Sequence, residues 1–483
     1  MCVIGNRQGN HTLELAFFAY LWTLIRVPYD LPPSIPTIPF YVSLFDLARG
    51  IGRTRFYDCR LRRLMEDNGA VNVWIHGRWS ILVARPHFLI NVFRNQQTIA
   101  KMGFDKKVPR GVFATYLGEN IINADGDLWK KFSGILKPGI QRPADVTSIG
   151  RKTSSLASLL MEQQHLVGPK TGIKIETLVQ RWAISIYAEQ FLDLQLGEPH
   201  EVDDEITALQ SRIKGNFPHP FISDFPFLER IPLLSRWYRA FADVKKFETR
   251  FLDLVSKEAK PATTKNEGKM IYALNKARDE GRISEYHYRS NMKILFVAGH
   301  ENVQQAFISL VWELAVNNEI QEQLREEVNR MLPREYSAHD MDSLPLLAAV
   351  VYEGLRLFPP LSQLTNRQTT AETYLGDGIM LPGGVWVGWS AYGVHTNPQI
   401  WGPDAREFRP ARWGNNVQDV HRMFRKQQAC GNYIPFTAYA RRCLGSSFAL
   451  LQLKIGLCEM LRLLRWEEDP SWKFSVPNVS VIF

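Results

Sequence analysis

Apolar and polar positions alternate along Val71–Ile75 and again along Trp79–Val83, on either side of His76-Gly77, and this period of two predicts a β-hairpin. From Pro86 to about Val350 apolar positions recur at helical spacing, so the middle of the chain is expected to be mostly helical. The longest such element runs from Ser284 to about Asn317 and carries Gly299 in its interior. A glycine there costs about 1 kcal/mol against alanine and marks the close approach of another group. After about Thr365 the pattern shortens to strand-length runs with turns at Gly376–Gly378 and Pro382–Gly384, and a last apolar helix is expected from Ser447 to about Leu464. Helices in the middle with a small β portion at both ends give a mainly helical α+β outline, and no segment repeats.

Leu13–Val27 is apolar except for Glu14 and Arg26, too short for a full span of about 20 residues and with no small-residue cleavage site after it. Pro28, Pro32, Pro33, Pro36 and Pro39 follow, which stiffen and extend the chain. An apolar helix ahead of a proline hinge reads as an anchor holding a globular body at a membrane; a surface-lying amphipathic helix is the alternative. Phe217–Phe227, rich in Phe and Pro, reads as an access lid, a membrane-dipping loop or a packed connection, and Lys260–Lys269 as an exposed linker. Asn10-His11-Thr12 and Asn478-Val479-Ser480 match the glycosylation sequon, which matters only on a lumenal face.

Composition narrows the class. With 483 residues, 45% of them hydrophobic, the chain buries a large core and is not disordered. Its 5 cysteines (Cys2, Cys59, Cys430, Cys443, Cys458) are scattered and show no CxxC spacing, which excludes a disulfide framework or structural zinc site and points to a reducing compartment. The net charge of +9 suits an acidic partner, an anionic membrane surface or simply a solvated basic face; no nucleic-acid signature is present.

Several catalytic motifs are missing: no phosphate loop, no dinucleotide GxGxxG, no GxSxG elbow. His300-Glu301 opens like a zinc HExxH, but Gln304 holds the second histidine position. The informative stretch is Phe436-Thr437-Ala438-Tyr439-Ala440-Arg441-Arg442-Cys443-Leu444-Gly445, directly before an apolar helix. A cysteine there is favoured as a thiolate by amide donors, the helix dipole and neighbouring arginines, and thiolate suits a haem iron. Taken alone, such a cysteine is more often a small buried hydrophobe. Three further segments bear on it: Glu353-Gly354-Leu355-Arg356, Phe408-Arg409-Pro410-Ala411-Arg412-Trp413 and Ala298-Gly299-His300-Glu301-Asn302. Glu353 and Arg356, three apart on one helix face, are able to pair.

This ordered set resembles the cytochrome P450 family over nearly the whole chain. Within the family the chain is most similar to the fungal dityrosine-forming type of the spore wall, through Ile35–Val42, Gly69–Pro86, Tyr116–Ile121, Ala298–Asn302 and Pro359–Ser362.

The resemblance implies the P450 fold with an N-terminal membrane anchor at 1–28, a hinge at 29–40 and one catalytic haem domain at 41–483. It implies haem b, with Cys443 as axial ligand to iron, Phe436 shielding the sulfur, Gly445 admitting the ring, and Arg441, Trp129, Arg367 and His395 near the propionates. Glu353, Arg356 and Arg412 match a buried triad that pins the cysteine loop, and Glu301 and Asn302 match the pair that relays protons to bound dioxygen. Lys130, Lys131, Arg441 and Arg442 match a docking face for NADPH–cytochrome P450 reductase, so NADPH acts only indirectly. The implied reaction is monooxygenation or oxidative phenol coupling, using O2, of a small aromatic, tyrosine-derived substrate in spore-wall formation or fungal secondary metabolism. The implied location is the endoplasmic reticulum membrane, with the catalytic domain facing the cytosol.

The sequence departs from the family pattern in four ways. Tyr439 replaces a glycine, which implies strain or a changed loop. Ser133 replaces an arginine that meets a propionate, and Asn302 replaces a threonine, which removes a relaying hydroxyl and favours radical coupling. The chain also ends at Phe483, sooner than relatives do. These departures keep a second expectation open: a haem-binding relic without turnover.

Overall fold

The computed structural model describes residues 19 to 469 apart from 20–21, 24, 76, 110, 169–170, 197–203, 217–234 and 259–266. Most of the expected anchor, the Phe217–Phe227 loop, most of the 260–269 linker, both sequons and the chain's last residues lie outside that set. Among the described residues no helix is long and apolar enough to cross a membrane.

The hairpin forms as Ala70–Ile75 (β1) and Arg78–Val83 (β2). It opens a five-stranded sheet of order β1-β2-β7-β4-β3, with β3 at Ile99–Lys101, β4 at Gln363–Thr369 and β7 at Trp386–Ser390. Strands far apart in sequence thus share one sheet. Thr373–Gly376 (β5) and Ile379–Leu381 (β6) make a separate two-stranded ribbon, and their turn is the one expected at Gly376–Gly378.

Helices of ten residues or more occupy the middle, as the periodicity predicts. In order they are Gly126–Ile140 (α1), Val146–Val167 (α2), Glu176–Tyr187 (α3), Asp204–Asn216 (α4), Ser235–Glu258 (α5) and Met270–Asp279 (α6). Glu285–Val316 (α7), Asn318–Met331 (α8), Pro345–Leu357 (α9), Val417–Ala429 (α10) and Ser446–Leu463 (α11) complete the set. α7 begins where expected because the Ser284 hydroxyl caps it, accepting from the His287 N–H.

Past its exposed first turns α7 has buried residues all around it, which is why its apolar residues form no single stripe. Its first half (Met292, Ile294, Phe296, Val297) belongs to one hydrophobic core with α1 and α3 to α6. Its second half (Val303, Ala306, Phe307, Leu310) belongs to another, with α2, α3, α8, α9 and α11. Ala298–Asn302 sits at the junction. Phe448 at the start of α11 packs against both cores, so the Cys443 loop reaches the same junction. The group approaching Gly299 is the Tyr187 ring of α3: a Cβ there would lie 2.0 Å from it.

Candidate active site

Cys443 lies between a single turn at Tyr439–Arg441 and the start of α11. Its N–H donates to the Phe436 carbonyl at 3.0 Å, closing the loop, and the Thr437 hydroxyl donates to the Arg441 carbonyl at 3.1 Å. Thr437 and Tyr439 both hold left-handed backbone, at φ 56° and 57°, so the strain expected of tyrosine at 439 is real. The Tyr439 ring lies under the Arg94 guanidinium, 4.8 Å from its centre.

The sulfur is accessible yet deep in the protein, so it faces an internal cleft. Burial pushes its thiol up, against the Gly445 N–H and Arg442, which favour the thiolate. This departs from the sequence expectation, in which the helix end and arginines prevail: here desolvation outweighs them, and the thiolate needs a cationic partner such as a metal ion. A Cβ at Gly445 would meet nothing within 4 Å, so the cleft continues over the start of α11.

One edge of the cleft is cationic. Arg441 turns inward, donates to the Ile122 and Ala124 carbonyls at 3.2 and 2.8 Å, and stacks 4.6 Å over the Trp129 ring. It is therefore not part of the exposed docking face suggested by the sequence. Arg367 on β4 is buried and donates to the Ile99 carbonyl at 3.2 Å. Arg441 Nη1 and Arg367 Nε have no hydrogen-bond partner among the described residues. Burial and the other's charge lower Arg441 to about 9; burial lowers Arg367 to about 10, and Asp125 opposes in both cases. Uncompensated cations of this kind fit an anionic ligand edge. A buried thiol, a cleft free of side chains over Gly445 and paired cations together fit haem b, whose iron Cys443 would hold and whose propionates Arg441 and Arg367 would meet.

His395 has a different role from the one expected. Its Nδ1 donates to the Arg356 carbonyl at 3.1 Å and its Nε2 accepts the Ile434 N–H at 2.8 Å, so neither nitrogen is left for a propionate. Burial and Arg356 hold it neutral, near 3. Ile434 stands just before Phe436, so His395 ties α9 to the cysteine loop.

The triad is brought together, with Glu353 and Arg356 fully buried and Arg412 largely so. Glu353 receives Arg356 in a two-pronged pair, both contacts 2.8 Å, and Arg412 at 3.0 Å. Trp413 Nε1 and the Arg409 N–H also donate to it, each at 3.0 Å. Arg356 reaches on to the carbonyls of His395, Ala405 and Glu407. Every lone pair of this carboxylate thus has a donor, the condition under which a buried ion pair is tolerable.

Glu301 is buried on α7 and paired with Lys214 of α4 at 2.6 Å; Gln210, a turn earlier, also donates to it. Its Oε2 has no partner among the described residues. Burial pushes its carboxyl up, while Lys214 and Gln210 pull it down. The Asn302 amide donates to the Ala298 carbonyl at 3.5 Å and its Oδ1 has no partner among the described residues, so it can accept but does not relay as a hydroxyl would. Lys130, Lys131 and Arg442 are exposed, Lys130 pairing with Asp127 at 2.9 Å.

A small pocket lies between α7, the Met102–Asn123 segment and β4. Met102, Leu117, Ile122 and Ile294 give it an apolar side; Asn123, Thr365, Asn366 and Lys107 give it a polar one. Asn366 Oδ1 is buried with no partner among the described residues. Thr365 and Asn366 immediately precede Arg367, so the cavity adjoins the cationic edge.

Sequence reasoning missed Lys101, Lys214 and Gln210. Lys101 joins the edge only through the register of β3 on β4, and the other two reach Glu301 only through the packing of α4 on α7. No local motif marks any of the three.

The profile of one family, Cytochrome P450, matches residues 32–478. Cytochrome P450 monooxygenase xanG of Aspergillus fumigatus is 42% identical over 97% of this chain and 88% of its own length. Cytochrome P450-DIT2 of Saccharomyces cerevisiae is 35% identical over 95% of this chain and 93% of its own. Cytochrome P450 72A15 of Arabidopsis thaliana is 27% identical over 74% of this chain.

Proposed function

The chain belongs to the cytochrome P450 family and is a fungal-type P450 monooxygenase with a haem-thiolate cofactor, and from that premise we propose that its substrate is a small aromatic, tyrosine-derived molecule bearing a polar group. The observation that carries this reading is the two-sided cavity beside the cationic edge. Its apolar wall suits one aromatic ring, and Asn366, Asn123 and the Lys107 ammonium suit a hydrogen-bonding substituent. The likeness to the dityrosine-forming type supports the same class.

Haem bound over Cys443 supplies reductive activation of dioxygen. The chain's own groups then do the rest: Arg441 and Arg367 fix the cofactor's edge, the cavity orients the ring, and Glu301 with its buried surroundings holds the acid needed for proton delivery. Asn302 holds a hydrogen-bond acceptor where a hydroxyl would pass a proton, which favours loss of a hydrogen atom from a phenol and coupling of the radical over oxygen insertion. Electrons come from NADPH through a separate reductase that docks on the exposed Lys130, Lys131 and Arg442. Residues 1–28 anchor the enzyme to the endoplasmic reticulum membrane, with its catalytic domain in the cytosol.

The test has two stages. The carbon monoxide difference spectrum of the dithionite-reduced protein should show a strongly red-shifted, thiolate-type Soret band that Cys443→Ala abolishes. Turnover with reductase, NADPH and labelled dioxygen is then run on tyrosine derivatives. An unlabelled coupled dimer identifies phenol coupling and a labelled monomer identifies hydroxylation. A thiolate spectrum with no oxidation of any phenol rejects the aromatic substrate class, and no substrate-dependent NADPH use at all identifies a relic.

A further inference from the structure

Resting on the P450 reading of the cleft, we propose that Lys101 is the third cation of the haem edge and carries the propionate contact that an arginine at position 133 makes elsewhere in the family.

Lys101 ends β3 and stands directly opposite Arg367 of β4 in the antiparallel register. Residues so paired project from the same face of a sheet with their side chains as near neighbours. Like charges placed there repel, and a fold has no reason to bring them together unless an anion joins them. The Met102 N–H donates to the Asn366 carbonyl at 2.9 Å, continuing the pairing past Lys101 and fixing its direction. Burial first, then the charges of Arg367 and Arg441, push Lys101 well below the ordinary lysine range, and Asp125 alone opposes them. Lys101, Arg367 and Arg441 therefore converge on one small region from β3, β4 and the cysteine loop. One acid acts against three cations, and Arg441 Nη1 and Arg367 Nε, with no partner among the described residues, are two donors waiting for acceptors.

The arrangement explains how Ser133 is tolerated. Ser133 lies in α1, one turn after Trp129, where a serine hydroxyl reaches far less than a guanidinium. Losing that cation without replacement would leave a propionate short of a donor. Lys101 restores the count from a different element, and its flexible stem and three donors suit a carboxylate approached from the sheet side.

The experiment follows haem loss from the loaded, full-length protein to excess apomyoglobin, with the ferric–ferrous midpoint potential as a second readout. Lys101→Met should release haem at least about tenfold faster, the scale of a lost charged hydrogen bond, and shift the potential more negative, because a positive charge favours the reduced form. Lys101→Arg should remain near the parent. Adding Ser133→Arg to Lys101→Met should recover retention to within about threefold and return the potential toward the parent's.

Unchanged haem loss in Lys101→Met, with the thiolate-type carbon monoxide band intact, overturns the proposal and leaves the P450 reading standing. Faster loss that Ser133→Arg does not repair means Lys101 supports the fold, and also overturns it. A parent protein with no thiolate-type band sinks the haem reading and this proposal with it.

Discussion

Lys214 of α4 pairs with Glu301 of α7 at 2.6 Å, and this contact joins a helix of the outer layer to the middle of the central one. Burial raises the Glu301 carboxyl; Lys214 and Gln210 counter it. An acid raised in the fold contributes stability at low pH and loses it as pH rises through the folded value. Lys214→Met raises that value further. It should therefore destabilise more at alkaline than at acid pH, by up to about 3 kcal/mol for a broken buried pair. Thermal unfolding at pH 6 and pH 8.5 reads the difference, and Lys214→Met with Glu301→Gln should abolish its pH dependence. A deficit that is equal at both pH values argues against the pair.

His395 acts as a strut, donating to Arg356 on one side and accepting from Ile434 on the other. His395→Phe keeps the ring and removes both bonds, so it should cost about 1–3 kcal/mol, the penalty for orphaning buried partners. Haem loss from the folded protein should change little, because the propionates do not depend on this ring. Rapid haem loss with unaltered unfolding would instead place His395 at the cofactor edge.

How much of this was legible beforehand depends on range. The hairpin, α7 and the α11 helix follow from local periodicity, and the structure has them within a residue or two. The Glu353–Arg356 pair was readable because i,i+3 spacing on a helix is itself geometry. Arg412 joins that pair from a distant segment, and only the likeness to a family supplied it. His395 shows the limit: its residue type and neighbourhood suit an anion, and only the paths of the Arg356 and Ile434 backbones reveal that both nitrogens are taken. Cys443 shows another, since spacing exposes the helix end but says nothing of how deeply the sulfur is desolvated.

Glu313 on α7 is pushed up to about 7, by burial first and then by the negative charge of Glu353. It is neutral in the fold at mildly acidic pH and costs stability once it ionises above that value, the sign expected for a raised acid. Glu313→Gln keeps an acceptor for Asn317 and removes the ionisable group. The variant should match the parent near pH 4.5 and exceed it by about 1–3 kcal/mol at pH 8.5, because each tenfold difference in acidity between the folded and unfolded carboxyl is worth about 1.4 kcal/mol. Chemical denaturation of the haem-loaded protein at the two pH values gives the comparison. A constant offset across them would mean that Glu313 does not titrate in this range.

Tyr439 sets two opposing effects in one residue. Its left-handed backbone, φ 57°, costs a residue with a Cβ about 1–2 kcal/mol, while its ring lies 4.8 Å from the Arg94 guanidinium, a contact worth about 0.5–1 kcal/mol at an exposed site. Tyr439→Ala loses the contact and keeps the strain, so it should be less stable than the parent. Tyr439→Gly loses the contact and the strain together, with a glycine entropy penalty of about 0.5–1 kcal/mol, so it should lie close to the parent. The prediction is the order: glycine above alanine by about 1 kcal/mol, with the thiolate-type carbon monoxide band the same in all three. Alanine equal to glycine would show that the turn is relaxed in solution. A band lost only in the glycine variant would show that the strained backbone itself holds Cys443 in place.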